Sequence, residues 1–515
     1  MSSFSTVKWI NKTIVFLLCA YFVTGLLLLY IGQLFWGFCY DQQHALNNVY
    51  LLPFVAVLTA LLIALAAPTD DRLQKPRDRL LHNLRIAQVC FLLLQFVWVY
   101  FTRFLPICEA TDCYASAYAL ATGAPVPDAD FFRIYLHNSP NALLTSYIIR
   151  LALFLNLEPM TMFPYLGAVI LNCTVYLTCR VVLELTGNAR ILWIAFGLGN
   201  VWIGLSQFMM QPYSDVYCVV FPVLALWVLP RRISSFWKWF WFTFFCSIGG
   251  AIRPTAFILW IAYALYRLGE ALVQRTPFTL WLKRGALILL ACVLAYVPAL
   301  CWQNNAAIAL AGELNPPERF TITHYLMMGM NYKTFGEISA VDYNDSRNCA
   351  TVEERQAANL QTIGKRIRSL SLRQAVKFFL IKLYKPLADG NFFADGPYCA
   401  SVPERNDPIS PALRELYLKD GETHVYYASF QQILWLTILG LACVAAFTAR
   451  RQPPLFFVIG LAVFGLAAYN LLGENWPRYT FIFAPLYLIL GMLGLATFPQ
   501  LRKGGVKSRS PAKEA

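Results

Sequence analysis

Apolar residues fall in long runs along this chain, and polar residues collect between the runs. Roughly 20 apolar residues is the length a helix needs to cross a bilayer core of ~30 Å. By that measure the pattern predicts twelve spans, at about 14–36, 49–67, 86–105, 161–181, 190–210, 214–230, 236–251, 253–268, 285–302, 429–448, 455–472 and 479–498. A thirteenth apolar stretch, 141–157, is long enough to compete for a place among them. The first run is too long for the core of a signal peptide and reads as a retained helix. No internal repeat is evident.

Charge decides how the thirteenth stretch lies. Basic residues cluster at Lys8 and Lys12; at Arg72, Lys75, Arg77, Arg79 and Arg85; at Arg231, Arg232 and Lys238; at Arg267, Arg275, Lys283 and Arg284; at Arg450 and Arg451; and through the tail, 499–515. Loops rich in Lys and Arg stay on the cytoplasmic side. All these clusters share one side only if 141–157 does not cross. It is therefore expected to lie on the outer surface as an amphipathic or re-entrant helix, with Arg150 reaching toward headgroups. Both termini are then cytoplasmic, and two long polar segments, 106–160 and 303–428, lie outside.

Composition agrees with the pattern. Of 515 residues, 58% are hydrophobic and 14% charged, whereas a soluble domain carries about a quarter charged residues. The net charge of +14 follows from the basic loops and calls for no nucleic acid partner. The expected fold is an all-α polytopic membrane protein. Its expected parts are two added helices and a basic loop (1–85), a core (86–302), the large outer segment (303–428), the last helices (429–498) and the tail. The fourteen cysteines show no metal-type cluster. Cys108 with Cys113, and Cys349 with Cys399, are two pairs that can be either disulfides outside the cytoplasm or free thiols.

Candidate chemistry lies on the outer side. Glu109 and Asp112 sit three residues apart just after the third span, on one face of any helix there. Two like charges on one face raise one pKa, which suits a general base; a solvated loop acid is the plainer alternative. Asp128 and Asp130 are weaker candidates. The stretch Tyr135 to Asn141, with His137 and Asn138, places aromatics beside hydrogen-bonding groups, as binding of a sugar or headgroup needs. Arg253 and Arg478 each sit at an outer helix end beside proline, where a cation can hold a phosphate in bidentate fashion. Asp215 lies at another outer helix end and is a partner for one of them. The second outer segment adds His324 and a basic amphipathic stretch from Arg373 to Lys385, suited to a lipid surface.

These residues together resemble the GT-C membrane glycosyltransferases, in particular bacterial relatives of protein O-mannosyltransferases and of the aminoarabinose transferase. Pro106 to Tyr118 is similar to the acid-bearing start of the first outer loop, with Asp112 at the acid's position. Tyr135 to Asn141 is similar to a Tyr-Pro-Asn-Asn stretch but reads Tyr-Leu-His-Asn-Ser-Pro-Asn. Pro212 to Asp215 resembles a Tyr-Thr-Asp turn, and Ile252 to Thr255 a Lys-Pro-Thr turn with Arg for Lys. His324 to Asn331 and Glu474 to Pro485 resemble the late loop and the last outer turn. The resemblance implies a GT-C fold with juxtamembrane helices, in the bacterial plasma membrane. It implies a polyprenyl-phosphate sugar as donor and a cell-envelope acceptor. Transfer would occur on the extracytoplasmic face with inversion. Asp112 would be the base, with Glu109 beside it. Arg253, Arg478 and Lys385 would hold the donor phosphate, and Tyr135, His137, Asn138, Asp215 and His324 the substrates. Some relatives use a divalent metal ion, though no ligand set in this sequence demands one. A polysaccharide polymerase or ligase, or a lipid-linked sugar flippase or transporter, is the competing reading.

Overall fold

A computed structural model describes residues 2–35, 44–67, 77–104, 109–273, 278–394 and 407–503, and among these residues it is helical with no strands. Eight helices are long and apolar enough to cross a membrane. They are α1 (Trp9–Phe35), α2 (Asn48–Ala66), α3 (Arg77–Thr102), α6 (Pro159–Thr186), α10 (Pro254–Leu272), α11 (Leu282–Ala311), α16 (His424–Phe447) and α17 (Pro454–Leu472). Between α3 and α6 lie α4 (Glu109–Thr122) and α5 (Ser139–Phe154). The shorter apolar α7 (Ala189–Gly204) and α8 (Ser214–Val228), then α9 (Ser235–Ile252), precede α10. After α11 come α12 (Ile322–Gly329), α13 (Ala340–Arg347), α14 (Val352–Ser369) and α15 (Leu372–Tyr384). The last is α18 (Ala484–Lys503).

The helix ends follow from local chemistry. Asn47 caps α2 and Asn188 caps α7 by accepting backbone N–H groups, which satisfies donors that have no partner inside the helix. Glu158 does the same for α6, with Pro159 in its first turn, and α6 ends at Gly187, whose φ of 61° is the left-handed stop that favours glycine. Reciprocal capping boxes, Thr351 with Glu354 and Ser371 with Gln374, start α14 and α15.

Eight of the twelve expected spans are therefore long apolar helices. The others, 190–210, 214–230, 236–251 and 479–498, are helical but shorter or more polar. Within 190–210 the helix loosens into a π turn at Asn200–Gly204 and a 3₁₀ turn at Gln207–Met210. Buried amides are the reason for this. Gln88 Nε2 donates to Asn200 Oδ1 at 2.8 Å, Asn172 Nδ2 to Gln95 Oε1 at 2.9 Å, and Gln95 Nε2 to the Gly204 carbonyl at 2.6 Å. Such interhelical bonds glue apolar helices together, here α3, α6 and α7.

Close backbone approach does the rest of the packing. A Cβ on Gly494 would meet the Leu441 carbonyl oxygen at 1.9 Å, and one on Gly167 the Met209 carbonyl oxygen at 2.1 Å. The N-terminal helices join the bundle: Tyr21 and Tyr487 share a hydroxyl hydrogen bond of 2.7 Å, and Gln432 Nε2 donates to Asn48 Oδ1 at 2.9 Å.

The thirteenth stretch forms α5, a helix of 16 residues, shorter than the crossing helices. Asn141, Ala142, Thr145, Ser146, Ile149 and Ala152 are buried, while Tyr147, Leu151 and Phe154 are exposed. Arg150 Nη2 donates to the Leu120 carbonyl at 2.9 Å. It thus caps the last turn of α4, where the expectation had it reaching for headgroups. Of the two expected cysteine pairs, Cys108 and Cys399 lie outside the described residues.

The segment after α11 is a compact helical cap. Arg355, 1% exposed, donates to the carbonyls of Ser346 (2.7 Å), Pro317 (2.8 Å) and Cys349 (2.9 Å). One guanidinium fork therefore fixes α13, α14 and the loop before α12 together. Lys382 on α15 is buried and donates to the carbonyls of Gly329 and Gly473. Asn475 answers with N–H bonds to the Gly336 and Lys382 carbonyls. These bonds clamp the cap onto the turn after α17.

Candidate functional site

Five polar stretches singled out from the sequence meet around one cavity of about 580 Å³. The first outer segment supplies Tyr135, His137 and Asn138. The turn before α8 supplies Tyr213 and Ser214, and the α9–α10 junction supplies Arg253 and Thr255. The cap supplies Arg319, Phe320 and Tyr325, and the turn after α17 supplies Glu474, Arg478 and Tyr479. The end of α11 adds Gln303 and Asn304.

Each side chain is placed by a rigid element. Arg253 ends α9 because Pro254 follows it; the residue before proline is pushed out of the helical region, and Arg253 is extended at φ −145°, ψ 111°. Its Nη1 meets Asp215 Oδ1 at 2.6 Å and donates to Ser214 Oγ at 3.1 Å. Both acid and base are nearly fully buried, at 2% and 10% side-chain exposure. A buried pair of this kind persists only when each partner keeps the other. Arg478 is 9% exposed and its guanidinium lies 6.0 Å from the Tyr213 ring and 5.6 Å from the Tyr479 ring. Arg253 lies over the same Tyr479 ring at 4.7 Å. The two guanidiniums are close enough to feel each other's charge. Glu474 accepts from Tyr479 Oη at 2.6 Å and Trp476 Nε1 at 3.0 Å, which fixes the acid on the wall.

The facing wall is aromatic. Tyr325 and His137 hydrogen bond at 3.3 Å, and the Tyr135 ring packs edge-on to His137 and to Phe320. The Phe320 N–H donates to the Ile134 carbonyl at 2.9 Å, so the cap and the first outer segment form one wall.

The remaining expected site residues lie elsewhere. Asp215 stands behind Arg253 as its partner. His324 is fully buried behind Phe320, ring centroids 3.9 Å apart, and its Nδ1 bonds Ser346 at 2.7 Å. Burial pushes its pKa down to about 4, with Arg355 acting in the same direction against Asp342, so the ring is neutral and structural at ordinary pH. Lys385 pairs with Glu337 and lies 5.9 Å from the Trp476 ring; it supports the Glu474 turn and does not line the cavity. Asp112 is exposed on α4 and is not among the lining residues, and Glu109 opens the same helix. Asp128 caps a short helix by accepting from the Phe131 N–H at 3.0 Å. Among the described residues no cluster of three or more His, Cys, Asp or Glu side chains forms a metal site.

Sequence reading missed Gln303, Asn304 and Arg319. The first two follow directly on the apolar run that ends at Trp302, which is the signal that marks a polar helix end. Arg319 carries no local signal, since only folding of the cap brings it in.

The cavity can hold an anion beside its arginines and an amide- and ring-binding group, such as a sugar, against its other wall. No curated protein and no solved structure matches the chain. A family model described as Conserved hypothetical integral membrane protein matches residues 6–497, and the chain belongs to that family of integral membrane proteins.

Proposed function

We propose that this protein is a glycosyltransferase of the GT-C kind, which moves a sugar from a polyprenyl-phosphate donor to a cell-envelope acceptor on the extracytoplasmic face. The observation that carries the reading is the pair Arg253 and Arg478. Two turns far apart in sequence bring both guanidiniums to the Tyr479 ring, in a cavity that Tyr135, His137, Asn138 and Tyr325 also line. Asp215 balances Arg253 and Glu474 offsets Arg478, so the net positive charge available to a phosphate comes from Arg319. Arginine binds phosphate through paired N–H donors, and aromatic and amide side chains suit a sugar ring. The lipid tail would lie along the apolar helices. The basic loops at the far ends of α9 and α16 support the outward orientation.

In the transfer, an acceptor oxygen forms a bond to the anomeric carbon as the bond to the donor phosphate oxygen breaks. The phosphate leaves on the lipid with its charge held by Arg478 and Arg253. The acceptor's proton goes to a carboxylate, which must lie within hydrogen-bond reach. Asp112 is the acid expected from the resemblance, but the acid on the cavity wall is Glu474. The geometry supports the phosphate half of the mechanism more strongly than the assignment of Asp112 as base.

The experiment is sugar transfer by purified protein in liposomes, supplied with defined polyprenyl-phosphate sugars. Asp112→Asn and Glu474→Gln are assayed beside the unaltered protein. Loss of turnover with retained donor binding in one variant identifies the base. Transfer of no donor by correctly inserted protein would sink the enzyme reading, and movement of donor across the bilayer without transfer would favour a transporter.

A further inference from the structure

The end of the bundle away from the cavity holds a second group of arginines that sugar transfer does not use. The eighteen residues of α9 separate the two ends by about 27 Å at 1.5 Å per residue. Arg77 and Arg85 come from the start of α3, Arg180 from the last turns of α6, and Arg231 from the turn between α8 and α9. They gather around Tyr176 and Glu184. Arg180 Nη1 donates to Tyr176 Oη at 2.9 Å, Arg85 Nε reaches the same oxygen at 3.5 Å, and Arg77 pairs with Glu184. The Arg231 guanidinium lies 4.1 Å above the Trp227 ring. Its pKa is lowered first by burial and next by the neighbouring Arg180 charge, with Glu184 and Arg77 also within range.

Among the described residues Glu184 is the carboxylate seen to pair with this group, through Arg77, and it also acts on Arg231; the donors of the four arginines are not all used. Arg231 Nε and Nη2 and Arg180 Nε are buried without a hydrogen-bond acceptor among the described residues. A buried donor left without an acceptor costs stability, and crowded like charges add to that cost. A tetrahedral oxyanion would relieve both, since it offers several acceptor oxygens and negative charge to guanidinium forks. Arg77 is 56% exposed on the rim, so the group is open to a ligand. Trp227 lies in the last turn of α8, and tryptophans at the ends of apolar helices are enriched where a bilayer meets its headgroups.

We propose that Arg77, Arg85, Arg180 and Arg231 form a binding site for a phosphate group at the basic end of the bundle, filled by an anionic phospholipid headgroup. The site stands independently of the glycosyltransferase reading.

The test uses the full-length protein in a maltoside detergent, which carries no phosphate. Its unfolding temperature is followed while phosphatidylglycerol, or inorganic phosphate alone, is added. Phosphatidylglycerol should raise the unfolding temperature saturably. In the double variant Arg180→Gln, Arg231→Gln its apparent affinity should fall by about ten-fold or more, as loss of charge-assisted hydrogen bonds implies. The exposed pair Arg450 and Arg451 at the same end is the control, and Arg450→Gln, Arg451→Gln should keep the response. An equal response to inorganic phosphate would support the site and assign it to free phosphate. The site is overturned if neither addition has a saturable effect. It is also overturned if the two double variants respond alike. The single variant Arg231→Gln, which keeps the Arg180–Tyr176 bond, is measured alongside; it should unfold as cooperatively as the unaltered protein and still show weakened phosphatidylglycerol stabilisation, and an unweakened response in this folded variant would overturn the site.

Discussion

Arg253 and Arg231 stand at opposite ends of α9 and show two ways to hold a cation at a helix end. Arg253 has Asp215 at 2.6 Å and Ser214 at 3.1 Å; its charge is matched from within the fold. Arg231 lies on Trp227 among other arginines, with buried N–H groups that meet no acceptor among the described residues. The first arrangement is a finished ion pair that shapes a cavity wall. The second is completed only by an acceptor from outside. Burial alone therefore does not mark a binding cation; the balance of charge around it does.

The comparison breaks most visibly at Asp215. Asp215→Ala would strand Arg253 as an uncompensated buried charge and should cost about 3–5 kcal/mol, read as a lowered unfolding temperature in detergent. Replacing Arg253 by Met in the same chain should recover part of the loss. If Asp215→Ala were as stable as the unaltered protein, the pair would not be the finished unit described.

A change in the shared scaffold should not distinguish the two ends. A methyl at Gly494 must displace the Leu441 carbonyl, and such overpacking typically costs about 1–3 kcal/mol. Gly494→Ala should lower the unfolding temperature while leaving the relative effects of Asp215 and Arg231 variants unchanged. A change in those relative effects would show that the ends are coupled through α16 and α18.

Lys382 sharpens the contrast on the cavity side. Burial first, and Lys385 second, lower its pKa to about 7, against Glu474. The unfolded chain holds this proton up to an ordinary value near 10.5. Between pH 7 and 10.5 the unfolded state thus binds more protons than the native state, and stability should rise with pH across that window. Below pH 7 the folded lysine is charged as well and the slope from this group disappears. Lys382→Met should flatten the rise, and an unchanged unfolding-temperature profile would contradict the assignment.

The smallest effect belongs to the basic end. Glu184 pairs with an Arg77 that is 56% exposed, and an exposed pair is worth about 0–1 kcal/mol. Glu184, itself 17% exposed, also faces Arg231, so Glu184→Gln should lower the unfolding temperature measurably but less than Asp215→Ala.

Much of this was legible in the residues. Apolar run length predicted twelve spans, of which eight are helices long and apolar enough to cross a membrane among the described residues, and the positive-inside count predicted that 141–157 does not cross. Arg253 and Asp215 could be named as partners because both sit beside a helix end. The four shorter spans were harder to read, since Asn200 and Gln207 look like loop residues until Gln88 and Asn391 satisfy them inside the bundle. The cap hid its own logic: His324 and Lys385 look exposed and reactive in sequence, yet folding spends one on Ser346 and the other on Glu337. Asp112 follows directly on a span and matches the acid of the resemblance, and nothing local to it reveals that α4 contributes no described residue to the cavity lining.

The central claim is that Arg478, seated beside the Arg253–Asp215 pair, receives the phosphate of a polyprenyl donor. It is tested most directly by equilibrium binding of a polyprenyl-phosphate sugar to the unaltered protein and to Arg478→Ala. Saturable binding that weakens by about ten-fold or more in the variant, as expected for a lost charge-assisted contact, is the predicted result. Binding of equal strength in both proteins would contradict it.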